Sequence, residues 1–239
     1  MRLNRQILII LAAAAVLLGG LGLWTFVLKK GPEPQPPVAS TGSPASPTAS
    51  SGSIDPATIA PRRQGEDFVV GAENAPAVII EYASLTCPHC ARFHADVLPR
   101  IKSEYVERGL VKFIYRDFPL DGAALRAAQI ARCLPAERYF TFMDVLFRQQ
   151  EQWAAGRDVN AIVDRVKQLA ALAGLSRERA EACSTDQDLQ KKIVEAAQAG
   201  ERDYQIRATP TIVVNGKRHA GANSFEELEK LLAPLVKKP

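Results

Sequence analysis

The chain lacks several features that would decide its role at once. It has no block of like charge. Of the 239 residues, 30 are Lys or Arg and 26 are Asp or Glu. Four of the basic and two of the acidic residues precede position 61, so the remainder is near balance. That argues against nucleic acid as a partner. There are three histidines and two methionines, too few to support a copper-handling tract. No internal repeat occurs. Only four cysteines are present, and only one CxxC.

Charge is also absent from "ILIILAAAAVLLGGLGLWTFVL", residues 7–28. As a helix this run is about 33 Å long, enough to span a bilayer core. A signal-anchor is expected over residues 1–30, with a cleaved signal peptide as the alternative. Either places the rest of the chain in an oxidising compartment. Residues 31–64, rich in Pro, Ser and Ala, read as a flexible tether.

About 180 residues remain, enough for one sizeable core. "DFVVG" (67–71) and "AVIIEYAS" (77–84) read as strands, the second of the buried kind. A helix follows, with Phe93, Val97, Ile101 and Tyr105 as one stripe, a kink expected at Pro99 and an end at Gly109. "LVKFIYRDF" (110–118) is the next strand. Strand, helix, strand implies a parallel pair. Residues 122–204 read as four or five helices, with Trp153 packing inside them. "TIVVNGKRHAG" (211–221) is a hairpin turning at Asn215-Gly216. "NSFEELEKLLAPL" closes the chain as a helix with a Ser224/Glu227 capping box. The pattern is a thioredoxin fold, residues 65–121 and 205–239, with an inserted helical domain at 122–204.

"SLTCPHCARFH" (84–94) sits at the strand-to-helix turn. Cys87 at a helix N-terminus meets unpaired amides that favour its thiolate. His89 adds a donor or a positive charge. Pro88 suits the first turn. Cys90, one turn in, is placed to resolve a mixed disulfide. A zinc site needs four ligands, and a second CxxC is missing. A purely structural bridge across two residues would constrain the unfolded chain little. His94 and His219 have no evident partner in the sequence, and His94 reads as solvated.

"CPHC" after "VIIEYASLT", a helical insertion and "ATPT" near the end together resemble the DsbA-type thiol-disulfide oxidoreductases of the bacterial cell envelope. The resemblance covers residues 65–237, not the membrane segment or tether. It implies Cys87 as the attacking and leaving thiol and Cys90 as the resolving one. It implies a cis bond before Pro210, facing the disulfide, with Thr209 binding an extended substrate through its backbone. It implies Glu81 as a buried carboxylate relaying the Cys90 proton, where the plainer reading is a pairing charge at a strand edge. With Cys87–Cys90 as the redox pair, Cys133 and Cys183 are left for a second bridge like those of some relatives, or as two buried thiols. The implied function is oxidation of reduced exported polypeptides on the periplasmic side of the inner membrane. No cofactor or metal is implied, and a quinone-linked oxidase of the DsbB kind is the reoxidant. Threonine before the cis-proline is also common among isomerases and reductases, so that direction stays open. A chaperone or copper-binding module is the second alternative.

Overall fold

A computed structural model describes residues 62–64 and 66–237. The expected membrane segment and most of the expected tether lie outside them. No helix among the described residues is long and apolar enough to cross a membrane.

Six strands form one sheet: β1 (Arg62–Gln64), β2 (Asp67–Val70), β3 (Ala77–Ala83), β4 (Val111–Asp117), β5 (Thr211–Val214) and β6 (Lys217–His219). Their spatial order is β1-β2-β4-β3-β5-β6. β3 and β4 run parallel, and every other pair is antiparallel. The short apolar run of β3 sits at the centre because both of its faces are covered; six of its seven residues are buried. β1 falls within the stretch expected as tether. Its three residues pair with β2, so the folded part begins earlier than composition suggests.

One helical run, α1, covers 88–106 and carries the chain from β3 to β4. It is not a plain α-helix. Turns at Phe93–Val97 and Lys102–Val106 are π-helical, and the segments between are α-helical. Apolar residues spaced by four would drift around a 3.6-residue helix. The wider turns bring Phe93, Val97, Ile101 and Tyr105 all into the core. Where a kink was expected at Pro99, the π turn ends just before it and absorbs the missing donor. Gly109, at φ +67°, closes the run.

Between β4 and β5 lie α2 (Gly122–Arg132), α3 (Ala136–Arg148), α4 (Gln150–Trp153), α5 (Val159–Leu172), α6 (Arg177–Ser184) and α7 (Gln187–Tyr204). Asp121, Asp158, Ser176 and Asp186 cap four of them through side-chain oxygens. Trp153 is buried, its Nε1 donating to Leu146 O at 2.7 Å. α7 covers the second face of the sheet, where Gly200 lies flat on the Tyr82 ring and leaves no room for a Cβ. α8 (Phe225–Leu232) ends the fold, with the Ser224/Glu227 capping box formed. Asn215 and Gly216, both at positive φ, make the tight turn between β5 and β6.

Two features fasten the helical insertion. Arg132 Nε donates to Asp117 Oδ2 at 2.6 Å, a buried pair joining α2 to the end of β4. Cys133 and Cys183 form a disulfide between the end of α2 and α6. The bridge closes a loop of 50 residues. Replacing both cysteines by alanine should therefore lower unfolding stability by about 2–4 kcal/mol in urea titrations. A change below about 0.5 kcal/mol would show that the denatured chain does not use that freedom.

Candidate active site

β3 delivers the chain to the loop 84–87, and α1 starts from it. Cys87 is the N-cap in extended conformation, with Pro88 at the first helical position. Three sets of bonds hold this loop. Cys87 N donates to Ser84 O at 3.0 Å. Thr86 Oγ1 donates to Asp121 Oδ2 at 2.5 Å, and Leu120 N donates to Ser84 Oγ at 3.2 Å. From the helical insertion, the buried Gln150 Nε2 donates to Leu85 O at 2.7 Å and Cys87 O at 3.0 Å. No sequence signal marks Gln150, because its work is on backbone carbonyls rather than on a motif.

Both active-site cysteines are free thiols, and both are buried; Cys90 is fully so. Their environments differ in sign. A hydrogen bond from the Cys90 thiol is the largest influence on Cys87 and favours its thiolate. Burial opposes this. The backbone N–H groups of Cys90 and His89 add to the stabilisation, and the Cys87 pKa falls to about 5. Cys90 moves the other way. Burial, its role as donor to Cys87 and the nearby charge of Glu81 push its thiol far above the ordinary range. One sulfur is therefore a ready thiolate and the other a thiol.

The Thr209–Pro210 bond is cis. It brings Thr209 O to 3.3 Å from Cys87 Sγ, a bond that the protonated thiol donates and the thiolate gives up. The Thr209 hydroxyl is buried with no hydrogen-bond partner among the described residues. So a segment 122 residues downstream forms the second wall of the site.

His89 differs from expectation. Its ring is on the exposed side, with Nδ1 accepting from Arg92 Nη2 at 2.7 Å. In that arrangement Nδ1 carries no proton, and the help His89 gives Cys87 is its backbone N–H. Glu81 is completely buried, in register with Tyr115 on one side and Ile212 on the other. It is thus at the sheet centre and not on an edge. His94 corrects the sequence reading outright. It is buried, with Nε2 2.9 Å from Glu81 Oε2. It lies one turn after the fully buried Cys90 and so on the same inward face of α1.

The family described as thioredoxin matches residues 63–233. The crystal structure of Wolbachia pipientis alpha-DsbA1 superposes with a TM-score of 0.65 at 30% identity, covering 73% of this chain and 92% of that one. The chain belongs to the thioredoxin family, among the DsbA-like thiol-disulfide oxidoreductases. Disulfide bond formation protein D of Bacillus subtilis is 25% identical over 182 residues, 71% of this chain and 77% of that protein. A Rickettsia bellii protein provisionally named a protein-disulfide oxidoreductase is 26% identical over 151 residues, 63% of this DsbA-like chain. The chain spans 57% of that relative's length.

The asymmetry of the two thiols is directly measurable. Thiolate absorbance of the reduced chain should titrate with a midpoint at about 5, from Cys87 alone. Cys90→Ala removes the strongest contribution and should raise that midpoint. An unchanged midpoint in Cys90→Ala would contradict the assigned cause.

Proposed function

We propose that this chain donates the Cys87–Cys90 disulfide to reduced polypeptides exported from the cytoplasm. The observation that carries the reading is the thiolate-favouring environment of Cys87. A stabilised thiolate stabilises the reduced protein, which makes its disulfide a stronger oxidant. A substrate thiolate attacks the Cys87 sulfur, the Cys87–Cys90 bond breaks, and Cys90 takes the electron pair and a proton. The mixed disulfide joins substrate to Cys87. A second substrate thiolate attacks the substrate's own sulfur in that bond and releases Cys87 as its thiolate. The substrate gains a disulfide and loses two electrons, which the protein holds as Cys87 and Cys90.

Thr209 and Pro210 would receive the substrate segment beside Cys87, the backbone of Thr209 pairing with it in strand-addition fashion. Glu81 would relay the Cys90 proton. A quinone-linked membrane oxidase of the DsbB kind would restore the disulfide. The site would face the periplasm, held at the inner membrane by residues 7–28 or released if that segment is cleaved. The tether would give the domain its reach.

Thr209 also suits an isomerase or reductase, and the reduction potential separates these. An oxidase should equilibrate with glutathione near the DsbA value of about −120 mV. A value near thioredoxin's, about −270 mV, would contradict oxidation as the direction. Cys87→Ser should abolish disulfide transfer to a reduced protein substrate, read by thiol counting.

A further inference from the structure

The carboxylate behind the redox pair is the first of a series of proton-holding groups. Glu81 Oε2 meets His94 Nε2 at 2.9 Å in the core, and Glu81 Oε1 is buried without a hydrogen-bond partner. The other ring nitrogen of His94, Nδ1, is also buried and unbonded, 3.9 Å from Asp144 Oδ1 on α3. The Asp144 side chain is 31% exposed, and its Oδ2 accepts from Lys102 Nζ at 3.4 Å. The series thus starts inside the sheet and ends at the surface, away from Cys87. The other titratable groups near the His94 ring are Tyr115 of β4, ring centroids 6.0 Å apart, and Cys90 one turn earlier on α1. Phe147 of α3 covers the ring at 3.9 Å, and Phe93 packs edge-on.

Such a route answers a specific difficulty. When the Cys87–Cys90 bond opens, Cys90 is the leaving group, fully buried where its anion is strongly disfavoured. The attacking substrate covers the front. The proton has to arrive from behind as the bond breaks, and has to leave the same way on reoxidation.

We propose that His94 is a positioning residue that shuttles this proton between Glu81 and Asp144, giving Cys90 a rear path to solvent. The proposal rests on the reading of Cys87–Cys90 as an exchangeable disulfide. In the opening step, Glu81 gives a proton to the Cys90 sulfur. The neutral ring of His94 takes a proton at Nδ1 from the Asp144 side, and the charged ring then passes Nε2–H to Glu81 Oε2; reoxidation runs the same transfers in reverse and resets the ring. Burial alone would disfavour the imidazolium. The charge of Glu81, its hydrogen bond to Nε2 and the charge of Asp144 reverse this and raise the His94 pKa, which eases passage through the charged ring.

The test is single-turnover reduction of the oxidised full-length chain by dithiothreitol, acid-quenched and counted by mass between pH 5 and 9. Rates are divided by the thiolate fraction of the reagent. The wild-type rate should be high at acid pH and fall as pH rises through the His94 titration. His94→Gln keeps an amide donor toward Glu81 but carries no proton. It should be slower at pH 6 by on the order of 10²-fold and flat with pH. Asp144→Asn removes the outer anion, so its inflection should move to lower pH; it decides the matter if His94→Gln does not fold. A wild-type profile that is flat, or one retained unchanged in the variants, overturns the relay. A wild type that shows the profile yet fails to oxidise a reduced peptide removes the oxidase reading and leaves the relay standing.

Discussion

The hydrogen bond between two sulfurs governs this site. Cys90 donates to Cys87, and that contact splits the pair. The split needs Cys90 dry and Cys87 at a backbone with free amides. The inward face of α1 supplies the first, and the start of that helix supplies the second. If either sulfur sat an ångström elsewhere, both thiols would tend toward ordinary values and the disulfide would lose its oxidising drive.

Much of the remaining structure keeps that geometry still. β3 anchors the loop from one side of the sheet centre. Thr209 closes it from β5's approach, and Gln150 clamps two of its carbonyls from the helical insertion. The insertion is itself tied down by the buried Arg132–Asp117 pair and the Cys133–Cys183 bridge. Removing one member of such a buried ion pair typically costs about 3–5 kcal/mol, so the pair holds α2 firmly once formed. The helical block is thus a support for the redox loop as well as an addition beside it.

The sequence made the strand–turn–helix around Cys87 readable because each part has a local signal. The β-branched run of β3, Pro88 and the Asn215-Gly216 turn all act through their own backbones. Three things were not readable. β1 is an edge strand of three residues, too short for a period, in a stretch whose composition says tether. Gln150 bonds to carbonyls, which no side-chain pattern reports. His94 shows no partner in the sequence, because Glu81 and Asp144 reach it from other elements. The site residue hidden from sequence is therefore one whose partners are brought to it only by the fold.

Unfolding of the reduced and oxidised chains, compared across pH, tests the thiolate claim most directly. The Cys87 pKa is depressed in the folded reduced state, to about 5. An unfolded cysteine titrates near about 8.5. The stabilisation is therefore full above about pH 8.5 and is lost as pH falls through about 5. The disulfide form has no such group. The reduced chain should be the more stable form at pH 7 to 8, with its advantage shrinking toward pH 5. An oxidised chain more stable at pH 7, by a margin independent of pH, would contradict a stabilised Cys87 thiolate as the source of the oxidising power.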